Sequence, residues 1–369
     1  MPKHAFDGGL WAEAFRVERA GVDPLAGLAG AVASCAPLAI GIAANEPEIG
    51  VTGSFGGLNG ALAVPRGALR ERLGWGVGAT LGCCGSVALG TAVQGSVAAS
   101  VAAAFAWIGL AAFLRTFGPR GGLTGFVIGA VFVLNNGLPA ESLDAGTRVL
   151  WFLLGSVVAI CLMAAAYARD ARPPAGPARA PLTGVLGKGA RQFRDAITGD
   201  ALLRAHALRL ASIIAATTLL YRLFDLQHGY WIPLTVLAVL QPEEHASGVR
   251  AVQRGAGTLV GTALITLFMI ATGDDWLIVA VQGIAAFGLF ALFARGYFWL
   301  VVLLTPTVLL TISAVDYQGD AIAAQRAGWT ALGILISLVI AGRLWRLAPH
   351  IPRGVTPEPT RAMPSLPGR

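Results

Sequence analysis

Few residues in this 369-residue chain have the types and spacing for chemistry, and those few suit binding rather than bond-making. The five histidines, His4, His206, His228, His245 and His350, stand apart at predicted termini or loops, and no HExxH, GxSxG or P-loop occurs. Neither a metal-bound water nor an activated nucleophile follows from the local sequence. Gly76-Val77-Gly78 follows no strand and lacks the remaining glycine of a dinucleotide-binding turn. Cys35, Cys83, Cys84 and Cys161 lie inside apolar runs with no CxxC spacing and read as small buried hydrophobes. The expectation is therefore no enzyme, no metal and no cofactor. What remains is a set of polar and aromatic groups embedded in apolar sequence: Asn59, Asn135, Asn136, Tyr230, Trp231, Pro233, Thr235 and Gln241, with Arg254 beyond them and Thr311 comparable. A side-chain amide in such a setting is costly unless hydrogen-bonded, so each faces protein or a wet cavity. These groups hold a solute by hydrogen bonds and stacking. Each also has a purely structural reading. Asn135 and Asn136 can tie helices together, Thr235 can bond its own helix, and Tyr230-Trp231 can form an interfacial aromatic belt. Arg254 can bind lipid phosphate or pair with Glu243 or Glu244.

The elements that must position these groups are apolar helices. The chain is 55% hydrophobic and 13% charged, with mean hydropathy +0.67. Soluble domains carry about 25% charged residues, so an all-α integral membrane protein is expected and a soluble bundle is set aside. The 48 glycines suit helices that approach closely in lipid. Apolar runs fall at about 24–44, 50–64, 74–94, 95–114, 121–139 and 147–167, then at 205–224, 229–241, 255–272, 276–294, 297–315 and 327–347. A bilayer core takes roughly 20 apolar residues as helix. Runs 50–64 and 229–241 are short of that. About twelve transmembrane helices are expected, those two being the least secure.

Charge orders the loops. A net charge of +7 and a pI near 9.7 invite a nucleic-acid reading, but the bases lie between apolar spans and form no block with interleaved aromatics. Of the 27 Lys and Arg, all but Arg148, Arg222 and Arg326 fall in alternate loops, which places both termini in the cytoplasm. Glu46, Glu48, Glu141, Asp144, Asp225, Asp274, Asp275, Asp316 and Asp320 mark the other side, solvated at the span ends, with Arg222 paired to Asp225. Buried charge is expected to be almost absent. The organisation is then a cytoplasmic N-terminal segment 1–23 with a short amphipathic helix and no signal peptide, a first six-helix repeat 24–167, and a cytoplasmic linker 168–203. A second six-helix repeat 204–347 and a Pro-rich cytoplasmic tail 348–369 complete it.

A shift of 179 residues lays Gly76, Gly78 and Gly82 on Gly255, Gly257 and Gly261, and each half runs in the same order: short span, basic loop, glycine-rich span, three more. With six spans per half, the repeats must be parallel, and short spans in matching positions are the best pointer to a solute site. Helix ends exposed there would favour an anionic group.

Tyr230-Trp231-x-Pro233-Leu234-Thr235, Leu240-Gln241-Pro242 and Arg254-x-x-Gly257-Thr258-x-x-Gly261 together resemble the signature hairpin of the fusaric-acid-resistance (FUSC) and aromatic-acid-exporter family. The match is close in the second half. In the first, Gly50-Val51-Thr52 replaces the aromatic opening and no Gln-Pro follows. The resemblance implies an inner-membrane protein that exports aromatic carboxylic acids or similar small organic anions. Members often carry a cytoplasmic domain after each membrane half, where this sequence has a brief linker and tail. An organic-anion channel and a non-transporting scaffold remain as alternatives. The expected partners are the anion and membrane lipid, not nucleic acid, with a homo-oligomer left open.

Overall fold

The computed structural model describes residues 12–15, 21–138, 143–170, 182–271, 274–315 and 320–347. Outside them lie most of the N-terminal segment, the tail 348–369, the linker residues 171–181, and Pro139, Glu141 and Asp316. The described chain is helical: α1 (Pro24–Ala43), α2 (Pro47–Ala63), α3 (Leu69–Val93), α4 (Val97–Ala112), α5 (Gly118–Gly137), α6 (Ala145–Ala166), α7 (Leu182–Gly199), α8 (Ala201–Leu223), α9 (Trp231–Val239), α10 (Glu244–Ala271), α11 (Asp275–Ala291), α12 (Tyr297–Ser313) and α13 (Asp320–Leu347). Apart from the linker helix α7, each coincides with one of the apolar runs. Five helical segments among the described residues are long and apolar enough to cross a membrane: Pro24–Ala43, Leu69–Val93, Val97–Gly137, Ala145–Arg169 and Ala201–Leu223.

Four helix starts are set by aspartates. Asp23, Asp144, Asp200 and Asp274 each accept a hydrogen bond from a first-turn amide of α1, α6, α8 and α11, the N-cap role that short acidic side chains perform best. At Asp144 the Thr147 hydroxyl also donates, at 2.6 Å. The hydroxyl and the backbone amides of Thr147 and Gly146 hold that carboxyl below its usual range.

Corresponding places in the two halves use the same devices. Asn45 (φ +59°) turns α1 into α2, with the Glu46 amide donating to Gly41 O at 2.8 Å. Asp225 (φ +46°) turns α8 toward α9, with the Leu226 amide donating to Tyr221 O at 2.9 Å. A 3-10 turn ending in a positive-φ glycine joins α4 to α5 at Gly118 and α11 to α12 at Gly296. The packing pairs match as well. α2 lies on α6 and α9 on α13; α3 lies on α5 and α6, and α10 on α12 and α13. Across the middle, α4 of the first half packs on α8, which opens the second, and α11 packs on α1, which opens the first.

The short runs differ from each other. α2 has 17 residues and is wedged between α1 and α6 by glycines. A Cβ on Gly57 would meet Ala33 O at 1.8 Å, and one on Gly56 would meet Phe152 O at 2.1 Å. α9 has only 9 residues, roughly 14 Å of helix against roughly 30 Å of hydrocarbon. It is buried throughout, so its length is completed by the turn before it and the extended Leu240 after it.

Candidate solute site

The sequence-derived residues do not form one cluster. Asn59 Nδ2 donates to Phe55 O at 2.8 Å, and Thr235 Oγ1 to Trp231 O at 2.8 Å, each one turn back on its own helix. Pro233 lies buried inside α9. Gln241 is at the other end of that hairpin, where its Oε1 accepts from Arg115 Nη2 at 3.0 Å and its amide donates to Ser247 Oγ. Asn136 is a junction of α4, α5 and α8: its Oδ1 accepts from Ser100 Oγ at 2.9 Å and its Nδ2 donates to Tyr221 O–H at 3.4 Å. Asn135 stands half-buried one residue away, back-bonded to Val131 O.

Three expectations are corrected. Tyr230 and Trp231 are not an interfacial belt. They are 2% and 1% exposed, because the turn at His228 (φ +53°) carries the chain inward before α9 begins. Nor does the start of α9 offer free amides to an anion: the Trp231, Ile232 and Leu234 amides donate to His228, Gly229 and Tyr230 carbonyls, and Pro233 has none. Buried charge, last, is present. Arg72, Arg148, Arg254 and Arg326 are 1%, 7%, 2% and 3% exposed. Arg254 lies well inside α10, and no ion pair to Glu243 forms, that residue being exposed. Arg222 donates to Gln94 O rather than pairing with Asp225. Among the cysteines, Cys83 is buried, Cys35 and Cys84 half-buried, and Cys161 exposed.

Only one of the sequence-derived candidates, Asn135, lines a cavity that lies between the halves. This cavity, of about 250 Å³, is bounded by Glu48, Thr52, Phe55, Asn135, Arg148, Phe152 and His228, and by Ile312 and Val315 from the end of α12. It lies at the end of the bundle holding the α1–α2, α5–α6 and α8–α9 turns. Glu48 is within electrostatic reach of Arg148. The chemistry on offer is a guanidinium, a carboxylate, an amide, an imidazole and two phenyl faces.

A second polar node, centred on a glutamine that sequence reasoning missed, joins the halves nearby. Gln282 of α11 is fully buried, and its Nε2 reaches Ser34 O at 3.4 Å, Ser54 Oγ at 3.1 Å and Thr311 Oγ1 at 3.1 Å. It thereby links α1, α2, α11 and α12. The signal is present in the sequence: a lone glutamine inside a 17-residue apolar helix requires partners.

Residues 214–340 match the family described as fusaric acid resistance protein-like. The inner membrane protein YccS of Escherichia coli K12 is 27% identical over 151 residues, 40% of this chain and 20% of that protein. An uncharacterized protein of Haemophilus influenzae is 28% identical over 148 residues, 40% of this chain and 21% of its own length. An uncharacterized protein of Neisseria gonorrhoeae is 26% identical over 139 residues, 35% of this chain and 33% of that one. The chain thus spans no more than a third of the length of these relatives. No solved structure matches.

Proposed function

We propose, from the match of residues 214–340 to the fusaric acid resistance protein-like family, that the chain is a membrane protein of that family and exports small organic anions, aromatic carboxylates foremost, across the inner membrane. The observation that carries this reading is the cavity between the halves. Its volume of about 250 Å³ suits a single-ring solute, since pockets for drug-sized ligands begin near 300 Å³. Arg148 supplies the charge that a carboxylate seeks, Asn135 and His228 supply hydrogen bonds, and Phe55 and Phe152 supply apolar faces. The recurring turns and helix pairings support twelve spans in two parallel six-helix repeats, and the charge pattern supports cytoplasmic termini with the cavity facing outward.

An anion channel is the second reading, favoured by one observation. The deeply buried charged side chains among the described residues are arginines, and no carboxylate is among them, whereas proton-coupled carriers keep an acid in a span. Purified protein in liposomes, offered a panel of aromatic and aliphatic carboxylates, tests both readings. Saturable benzoate flux that falls at least tenfold in R148Q supports the carrier. Single-channel currents replace the carrier with the channel, and no anion movement under any gradient overturns transport.

A further inference from the structure

We propose that the seam between α9, α10 and α13 is a second anion site, separate from the cavity, that takes a small carboxylate. Two arginines meet there. Arg254 of α10 and Arg326 of α13 are both nearly inaccessible and lie within reach of each other's charge. Arg326 Cζ stacks 3.7 Å from the centre of the Trp231 ring. A cation over an indole face gains about 0.5–2 kcal/mol, too little to offset two buried like charges. No described acid forms an ion pair with either guanidinium.

The surrounding polar atoms are donors in excess. Arg254 Nε, Arg326 Nε and Nη1, Trp231 Nε1, Thr258 Oγ1 and Thr330 Oγ1 are all buried without a hydrogen-bond partner. Thr258 and Thr330 stand one turn beyond Arg254 and Arg326 on their helices, so each helix brings an arginine and a hydroxyl to the seam. Arg72 shows the contrast. Equally buried, it donates to Gly67 O at 2.8 Å and Ala164 O at 2.6 Å and is satisfied by backbone alone. The guanidinium and indole N–H groups can only donate and have no bonded acceptor, whereas the hydroxyls can donate or accept, so a ligand rich in acceptors suits the seam. An ionised carboxylate is such a ligand, and its two oxygens match the planar guanidinium fork.

The assignment is independent of transport and is tested without flux. Full-length protein in detergent is melted in HEPES, with and without sodium benzoate, in the R148Q background, which removes the cavity's arginine. Benzoate is expected to raise the melting temperature by several degrees. Adding R326Q or R254Q is expected to abolish that rise while leaving the benzoate-free melting temperature equal or higher, because like-charge repulsion is relieved. R326K, which keeps the charge and loses the fork, shifts half-saturation upward by about tenfold, which is 1.4 kcal/mol. If R326Q and R254Q respond to benzoate as fully as their parent, the proposal is overturned. Equal stabilisation by sodium chloride at matched ionic strength overturns the carboxylate assignment.

Discussion

Asn136 joins three helices through one amide, accepting from Ser100 on α4 and donating to Tyr221 on α8. Its sequence neighbour Asn135 spends its amide on its own helix and turns toward the cavity. In the sequence the two asparagines are equivalent, since both sit in one apolar run and either can be helix glue or solute contact. A rotation of about 100° per residue separates the roles, and only packing of α5 against α4 and α8 decides which faces which. N136A is therefore expected to lower stability by about 1 kcal/mol, the scale of an interhelical hydrogen bond in a membrane protein. Y221F, which loses only the 3.4 Å contact, is expected to cost less. Thermal unfolding in detergent checks both, and N136A melting with the wild type would remove the junction role. Trp231 teaches the complementary lesson. An aromatic pair at the start of an apolar run ordinarily marks the membrane interface, and nothing local announces that the preceding turn carries it inside.

At the scale of elements, helix existence is legible because long apolar runs separated by charged loops leave little choice. Depth is not. α9 and α2 look alike as short runs, yet α2 is a 17-residue wedge and α9 a buried helix of 9. What distinguishes α2 is glycine placed where backbones touch. A Cβ on Gly155 of α6 would lie 2.0 Å from Gly53 O of α2, while one on Gly78 of α3 would meet nothing within 4 Å. Overpacking a tight core costs about 1–3 kcal/mol, and here the obstacle is backbone, which cannot turn aside. G155A is expected to lose at least that much stability, seen as a lower melting temperature and lower yield. G78A, adding a methyl in open space, is expected to match the wild type or exceed it, because alanine favours helix over glycine by about 1 kcal/mol. Equal behaviour of the two variants would mean that close α2–α6 contact does not hold the first half together.

For the whole molecule, the loop charges order the chain, but the same count hides the buried arginines. Arg148 and Arg326 read as loop bases in the sequence because each stands a few residues from a span's start. In the structure α6 begins at Ala145 and α13 at Asp320, so both arginines lie within helices, where they are buried. Arg148 thereby faces the boundary between the halves, and the mechanism turns on whether that boundary moves. A carrier of two repeats alternates by rocking one against the other, whereas a channel needs no such motion. The α1–α11 contact offers a native handle. A Cβ on Gly283 of α11 would lie 3.8 Å from Cys35 Cβ and 3.5 Å from its Sγ, and disulfides have Cβ–Cβ distances near 3.8 Å. The substitution G283C is expected to oxidise spontaneously, joining the introduced thiol to Cys35. The bridge is detected as halves that remain joined after proteolysis of the linker until reductant is added. In liposomes the oxidised variant is expected to lose organic-anion flux and to recover it with reductant, the locked halves being unable to alternate. Full flux in the demonstrably bridged protein would show that α1 and α11 move as one body during transport, or that anions pass without rocking, and single-channel recording of the bridged protein separates those two outcomes.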